Sequence, residues 1–407
     1  MSINLNLTHD PKSGLHNLAN QSVVLHCNHY NIELQNTILL PEYLDGYEIQ
    51  FNAAAEVASS MVKEVCIQEN ISDKSEKLRV AESIYKKMGL GVLNLSLVDE
   101  SGGIVNTSAS HYHLGWQIRF SKSEAHAHVL TEGFIAGIMT YVFNESYSVE
   151  AVVEPKKLYY KIEKTTEAKY IENLNLQKIQ SIDTSNPDFP NYDKKIPCQD
   201  ITSAVLRALP QANESGLIEA FGVLLTYLPS EYYGKISYRF EQALDKTGGI
   251  DGLAKPLLIE SGHICGFNTF GGIMTSEVWN TLILPTLTSQ HDWVYGMVSV
   301  INALGWGHWH INELVDEKKL VLRVYNSTEA IAYREHFGIA KSSKCYTAEG
   351  AAAAIMNLIY KGDIISGPEL TQEYYQKVFK SENTFKSEET KCIAKGDEYC
   401  EFKFIEK

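Results

Sequence analysis

The 407-residue sequence has no long apolar run and a shortage of basic residues. Its two longest apolar segments, 130–143 and 217–228, are short and contain Glu132 and Glu219, so neither is expected to span a bilayer. The first twenty residues are polar and lack the apolar core of a secretory signal. Acidic residues number 50 and basic residues 36, giving a formal net charge of −14. This balance argues against nucleic acid or an anionic membrane as a partner, because both require a basic face.

Sequence motifs for nucleotide and serine chemistry are also missing. The chain contains no G-x-G-x-x-G, no P-loop, no G-x-S-x-G and no H-E-x-x-H, so nucleotide chemistry and serine hydrolysis are not expected. Cysteine is sparse, with seven scattered residues. In a long chain this usage is typical of thiols or metal ligands and not of a disulfide framework. We therefore expect a cytoplasmic protein, and its length suits two or three domains.

The C-terminal tail carries the most specific pattern in the chain. Cys392 and Cys400 flank a Gly-Asp turn signal, and the residues on both sides alternate between apolar and polar, which predicts a β-hairpin. Glu389 lies three residues before the first thiol, and Cys345 precedes a helix predicted over 349–359. Three thiolates and one carboxylate could close a tetrahedral zinc site, which would then be structural. A disulfide between Cys392 and Cys400 is the alternative, disfavoured by a reducing compartment.

An internal repeat is visible along the chain. Three short segments recur in the same order and at similar spacing, which indicates two copies of one α/β domain. The pairs are 26–31 with 263–268, 88–91 with 304–307, and 131–139 with 348–356.

The repeat and the local composition predict the domain organisation. Residues 1–164 form the first domain, and 165–199 are a polar linker with Asn-Pro and Phe-Pro pairs. Residues 200–252 are predicted to be helical, capped by the side chains of 200–203. Residues 253–407 form the second domain.

Periodicity predicts the elements within each copy. In the first copy these are a helix over 52–68, strands over 91–120, a helix over 132–141 and a strand pair over 147–162. In that second helix, Gly133 and Gly137 would let another backbone come close. In the second copy, alternating residues of 306–310 and 320–324 predict strands.

Three motifs of the second copy resemble those of the 4-vinyl-reductase-type domain. They are Asn-Ser-Thr-Glu-Ala at 326–330, a Cys before a Gly/Ala helix at 345–351, and the Glu-x-x-Cys hairpin that closes on Cys400. This family is a small-molecule-binding module and forms the sensing half of bacterial regulators that detect phenols and other aromatics. The chain departs from the family in the long insertion between Cys345 and Glu389.

The resemblance implies a fold and a metal site. The fold is α/β (α+β), related to the TRAPP-component and nitric-oxide-sensor superfamily, with two tandem domain copies arranged as a pseudo-dimer. The resemblance further implies structural zinc beside an apolar ligand cavity. Its ligands would be Cys345, Glu389, Cys392 and Cys400.

The first copy has lost the thiols and gained histidines. His128 aligns with Cys345, and residues near Val152 and Tyr160 occupy the other thiol positions. Two or three imidazoles with one carboxylate could bind ferrous iron, another catalytic metal or a haem. Histidines at strand ends also commonly lie hydrogen-bonded in cores, and the spacing does not choose between these readings. The pool for this possible second metal site is His26, His29, His111, His113, His128 and Glu132.

Two function hypotheses follow. In the first, the protein binds a small apolar or aromatic ligand, with Trp306 and His308 lining the cavity. In the second, it is a metalloenzyme that uses iron or haem in the first copy. No output domain is recognisable in the sequence, so a signal would pass through a partner or a homodimer.

Overall fold

A computed structural model describes residues 5–121, 125–155, 157–166, 182, 184, 196–247 and 252–406. These residues form a mixed α/β structure in which helices pack on antiparallel sheets. The helices are α1 Asn28–Leu39, α2 Gly46–Gln68, α3 Lys74–Lys87, α4 His111–Phe120, α5 Val129–Phe143, α6 Cys198–Ala208, α7 Ser230–Lys246, α8 Ala254–Cys265, α9 Gly271–Met274, α10 Gln290–Ile301, α11 Thr328–Phe337, α12 Tyr346–Tyr360 and α13 Gln372–Phe379. The strands are β1 Thr8–Asp10, β2 Leu15–Leu18, β3 Gln21–Cys27, β4 Gly91–Asn94, β5 Val98–Asp99, β6 Gly102–Ser110, β7 Tyr147–Glu154, β8 Lys157–Lys164, β9 Ile218–Ala220, β10 Val223–Pro229, β11 His308–Val315, β12 Lys319–Tyr325, β13 Lys386–Lys391 and β14 Cys400–Ile405.

Three antiparallel sheets organise the part of the chain that the structure describes. A central sheet has the strand order β1-β2-β3-β10-β9. A second sheet has the order β4-β6-β8-β7, with β5 also paired to β6, and a third has the order β11-β12-β14-β13. If β5 is set aside, the second and third sheets have the same strand order, in which the fourth strand in the sequence lies between the second and the third.

The central sheet joins the two halves of the chain. Strand β3 pairs with β10, with Leu25 opposite Tyr227. The Leu25 N–H donates to the Leu304 carbonyl at 3.0 Å, and the Tyr227 N–H donates to the Met88 carbonyl at 2.9 Å. Segments 88–91 and 304–307 therefore make corresponding contacts, each with the strand that belongs to the other half.

The helix pairs α2–α5 and α8–α12 pack closely enough to require glycine. A Cβ added at Gly133 or Gly137 of α5 would collide with backbone carbonyls of α2, and one added at Gly350 of α12 would collide with the carbonyl of Ile259 in α8. This close approach agrees with the role that the sequence predicts for Gly133 and Gly137. The predicted helices at 52–68, 132–141 and 349–359 lie within α2, α5 and α12.

The strand predictions are confirmed for hairpins whose two strands are neighbours in the sequence. Strands β7 and β8 pair along their whole length, as the pattern over 147–162 predicts. The tail forms the predicted hairpin, in which β13 pairs with β14. The strand predicted at 320–324 lies within β12, and residues 308–310 of the strand predicted at 306–310 lie in β11. Residues 306 and 307 precede that strand, so this part of the prediction is wrong.

The strand prediction over 91–120 is wrong for its last third, where the chain forms α4. The Ser110 hydroxyl accepts a hydrogen bond from the His113 N–H at 3.4 Å and caps the new helix. His111 and His113 therefore lie in a first helical turn, where residues two apart point roughly 200° apart instead of sharing a face.

Two further predictions about elements are wrong in part. The region 200–252, predicted to be helical, contains most of α6 and all of α7, but strands β9 and β10 lie between these helices because β10 completes the central sheet beside β3. Helix α6 begins at Cys198, ahead of the predicted capping residues, and has no side-chain cap.

The first pair of repeat segments differs in structure between the two halves. Segments 26–31 and 263–268 are not equivalent, because the first joins β3 to α1 and the second runs from the end of α8 into a π-helical turn. Most of the predicted linker 165–199 lies outside the described residues. No helix within the described residues is both long and apolar enough to cross a membrane.

Candidate metal centre and the cavity beside it

The hairpin of β13 and β14 and the start of α12 bring together three thiols and one carboxylate that could bind a metal ion. Cys345 directly precedes α12, Cys392 follows β13, and Cys400 begins β14. The donor atoms of these cysteines and of Glu389 all lie within 4.8 Å of one another, and all four residues are buried. Within the part of the chain that the structure describes, this is the one group of three or more such donors close enough to share an ion.

The spacing of the sulfur atoms matches a common tetrahedral centre. The Cys345 Sγ lies 3.3 Å from the Cys400 Sγ and 4.0 Å from the Cys392 Sγ. Zn–S bonds of about 2.3 Å in a tetrahedron place the sulfurs roughly 3.8 Å apart, between these two distances. All seven cysteines are free thiols in this structure, so the sulfurs are available as ligands.

The electrostatics of the group require a cation if its members ionise together. Burial raises the pKa of Cys345, Cys400 and Glu389 well above the usual values. The Glu389 Oε2 accepts a hydrogen bond from the Cys345 N–H at 3.0 Å, whereas its Oε1 is buried without a hydrogen-bond partner. A bound metal ion would satisfy this oxygen and lower the cost of ionising all four groups.

Backbone and side-chain contacts hold the cysteines in place. The Ser327 hydroxyl lies 3.2 Å from the Cys345 Sγ, and the Ile393 N–H donates to the Cys400 Sγ at 3.3 Å. The Cys392 N–H donates to the Asp397 carboxylate at 2.8 Å. Contacts of this kind orient metal ligands and tune their basicity.

Glu329 supports the same corner from the motif at 326–330. Its carboxylate accepts hydrogen bonds from the Thr347 and Ala348 N–H groups, at 2.9 and 2.8 Å, and so caps the first turn of α12. Burial raises the pKa of Glu329 to about 7. The Asn-Ser-Thr-Glu-Ala motif therefore positions Cys345 through Ser327 and Glu329.

The corresponding place in the first half holds different chemistry. His128 precedes α5 as Cys345 precedes α12, and its Nδ1 lies 3.3 Å from the Tyr160 hydroxyl. The ring of His113 stacks on that of His128, with centroids 5.4 Å apart. The Glu132 carboxylate instead accepts hydrogen bonds from the Tyr47 hydroxyl at 2.7 Å and the Ala151 N–H at 2.8 Å.

The remaining histidines of the predicted pool lie elsewhere. The His26 Nδ1 is 3.6 Å from the Cys265 Sγ, the His111 Nε2 is 3.0 Å from the Asn31 Nδ2, and His29 borders a separate surface cleft. The six predicted residues do not form a group of three donors in the described structure. A shared metal site in the first half is therefore not assembled in this conformation.

A small cavity lies next to the group of three cysteines and Glu389, between the two halves of the chain. Its volume is about 20 Å³, which is enough for one water molecule. Trp306 lines it, and the indole N–H donates to the Leu25 carbonyl at 3.0 Å. His308, which was predicted to line the ligand cavity with Trp306, is not among the lining residues. It lies at the start of β11, opposite Tyr325 of β12. Other side chains around the cavity are His26, Tyr30, Tyr233, Ser327 and Glu329.

Sequence reasoning missed Tyr30 and Tyr233 as members of this cavity. Both are buried, and the ring of His26 stacks on that of Tyr30 with centroids 4.1 Å apart. Their hydroxyls bind Thr347 at 3.0 Å and Asn31 at 2.7 Å. The available signal was modest: each tyrosine lies near the start of a helix that directly follows a strand of the central sheet.

No protein-family model matches the chain, and no curated protein matches it. One solved structure that matches is the crystal structure of the phenol-responsive sensory domain of the transcription activator PoxR with phenol. The sequences are 15% identical, the match covers 52% of this chain and 90% of that one, and the TM-score is 0.37.

Proposed function

We propose that the protein binds a small apolar or aromatic molecule and that a structural zinc ion stabilises its second half. The proposed zinc ligands are Cys345, Glu389, Cys392 and Cys400. The observation that carries the proposal is their burial as a closed set of four donors. A closed four-ligand zinc site leaves no position for substrate, so its role is to stabilise the fold.

The proposed ligand site is the cavity lined by Trp306. Aromatic rings surround it, and the Glu329 carboxyl and the Thr347 side chain add polar groups, a combination typical of sites for small molecules. A volume of about 20 Å³ does not accommodate an aromatic ring. Binding would therefore require the surrounding side chains to move apart.

We further propose that the chain is a tandem of two 4-vinyl-reductase-type domains arranged as a pseudo-dimer. The matching strand orders of the second and third sheets support this, as do the corresponding backbone contacts of 88–91 and 304–307 with the central strands. The free thiols suit a reducing, cytoplasmic setting.

Metal analysis of tag-free protein tests the zinc proposal. We expect about one zinc per chain, lost in Cys392→Ser, because removal of one ligand opens the tetrahedral site. Cys198→Ser is the matched control, since this half-buried thiol lies outside the cluster, and it should retain the metal. Full zinc content in Cys392→Ser would contradict the assignment.

Phenol titration monitored by tryptophan fluorescence tests the ligand proposal. Phenol is a suitable probe because it combines a flat apolar ring with one hydroxyl. We expect saturable binding that weakens about tenfold or more in Trp306→Ala, since a large aromatic surface is lost. His308→Ala tests the predicted second contact and should weaken binding if that contact forms. Unchanged affinity in the Trp306 variant would reject this cavity.

The histidine pool of the first half stays a prediction that the same purified protein can test. Iron with a visible absorption spectrum, lost in His111→Ala or His128→Ala, would favour the metalloenzyme. If these variants keep all of the metal and any activity found, the first half has no catalytic metal.

A further inference from the structure

A second and much larger cavity opens between the central sheet and helix α6. Its volume is about 500 Å³, within the range of roughly 300–1,000 Å³ that small-molecule sites occupy. Four strands of the central sheet, the last turn of α3 and the second half of α6 contribute to its walls. The side chains that matter for its chemistry are His16, Lys87, Leu206, Arg207, Ile218 and Tyr227.

The charge of this cleft is opposite to that of the whole chain. Its lining includes Lys87, Arg207 and two histidines but no Asp or Glu, although the chain carries 50 acidic and 36 basic residues. The Lys87 ammonium donates to the neutral Gln211 side chain at 3.1 Å. Within the described residues neither cation forms an ion pair. Among the described residues, the positive charge of the cleft is therefore not compensated.

The inner wall adds unpartnered polar groups on an apolar surface. His16 is 3% exposed; its Nε2 bonds to the Ala303 carbonyl at 2.8 Å, and its Nδ1 is buried without a partner. Burial lowers the pKa of His16 to about 4, so the ring is neutral at pH 7. Tyr227 is also 3% exposed, and its hydroxyl has no hydrogen-bond partner among the described residues. The rest of this wall includes Leu206 and Ile218.

We propose that this cleft binds a carboxylate that carries an apolar body, such as a medium-chain fatty acid. The Arg207 guanidinium and the Lys87 ammonium bind the carboxylate, because charge-assisted hydrogen bonds are the strongest available at the rim. Leu206, Ile218 and the Tyr227 ring contact the apolar body.

A simpler role accounts for part of the pattern but not for all of it. Lys87 and Arg207 lie in the last turns of α3 and α6, where positive charge interacts favourably with the helix dipole. That role needs no cavity between the two helix ends. It also leaves the lack of carboxylates in the lining unexplained.

Isothermal titration calorimetry with octanoate tests the proposal on the full-length protein. We expect one saturable site per chain. Octan-1-ol should bind more weakly because it lacks the charge, and acetate should bind more weakly because it lacks the apolar body. Tighter binding of octanoate than of both analogues supports the site. No saturable octanoate binding, or binding of acetate or octan-1-ol as tight as that of octanoate, would overturn it.

Paired variants locate the site. The double variant Lys87→Gln with Arg207→Gln should weaken octanoate binding by about ten- to a hundredfold and leave octan-1-ol unaffected. Leu206→Gln should weaken both ligands. Lys86→Gln is the matched control, because this neighbouring lysine of α3 is exposed and does not line the cleft. Equal octanoate affinity in the double variant and the wild type would place binding elsewhere and refute the proposal.

Discussion

Glu132 is a buried carboxyl group whose partners are neutral. It accepts hydrogen bonds from the Tyr47 hydroxyl and the Ala151 N–H, and burial raises its pKa to about 7. The carboxyl is thus partly protonated near neutral pH in the folded protein, whereas in the unfolded chain it ionises at a pKa of about 4.3. Folding consequently becomes less favourable as this group is forced to ionise.

We predict that Glu132→Gln removes a pH-dependent loss of stability. Because the folded pKa is the higher one, the wild type should lose free energy of unfolding, relative to the variant, as the pH rises from 5 to 8. The difference should be on the order of 2 kcal/mol. Gln can keep both contacts, since its oxygen accepts from Ala151 and its amide donates to Tyr47. Urea denaturation at both pH values measures the effect.

Glu154→Gln is the control for this measurement, because Glu154 is exposed on the neighbouring strand β7. Its substitution should leave the pH dependence of the wild type unchanged. An identical slope for the wild type and Glu132→Gln would mean that Glu132 ionises normally in the fold.

The helix pair α2 and α5 depends on the absence of two side chains. At Gly137, an added Cβ would collide with the backbone of Ala55, and backbone cannot yield as a flexible side chain can. Gly115 of α4 provides a contrast, because an added Cβ there meets side-chain atoms of Ile32 and Asn28 at 3.0 and 3.2 Å. The two glycines are alike in helix propensity but differ in surroundings.

We predict that Gly137→Ala lowers the free energy of unfolding by about 2 kcal/mol or more, because overpacking exceeds the gain in helix propensity. Gly115→Ala should change it by less than about 1 kcal/mol, since the Ile32 side chain can shift. Chemical denaturation of both variants gives the comparison. Similar losses in the two would show that the close approach in α5 is easily relieved.

Elements that local periodicity determines could be predicted, and elements that tertiary pairing determines could not. Helices α2, α5 and α12 have clear signals, and hairpins β7–β8 and β13–β14 join neighbouring segments. Strand β10, by contrast, is stabilised by pairing with β3, about two hundred residues earlier in the sequence. Helix α4 follows a strand without a break, and its cap at Ser110 resembles an ordinary strand residue in sequence.

At the scale of the whole molecule, the cysteine group of the candidate site could be predicted from the sequence and the neighbouring cavity could not. The cysteine group could be predicted because three of its four donors lie in one hairpin, with a spacing that zinc ligands commonly show. The cavity could not, since Tyr30, Tyr233 and Trp306 come from three distant segments. For the first-half histidines, spacing in sequence was a poor guide because the predicted strand is partly a helix.

Helix α7 also supports the candidate metal site, although it lies outside the predicted second domain 253–407. The Tyr238 hydroxyl donates to the Glu329 and Lys344 carbonyls, at 3.1 and 2.8 Å. The Lys344 ammonium lies 2.7 Å from the Glu241 carboxylate, which also accepts from the Tyr346 hydroxyl at 2.6 Å. These contacts surround Cys345 on both sides.

We predict that a fragment of residues 253–407 binds zinc at least about tenfold more weakly than the whole chain, because supporting contacts of this kind hold ligands in place. A fragment that begins at residue 196 retains α7 and should recover part of the affinity. Competition with a chromogenic chelator measures both. Equal affinity in the short fragment and the whole chain would show that α7 is dispensable.

Cys345 lies beside the hairpin of β13 and β14, although a long insertion separates them in the sequence. The ion that we propose would cross-link both ends of this insertion, and the entropy of closing a loop grows only slowly with its length. Residues 365–367 and 369 of this insertion are exposed. A reporter peptide grafted there should leave metal uptake intact, which makes this bend a natural point of attachment for cargo or label.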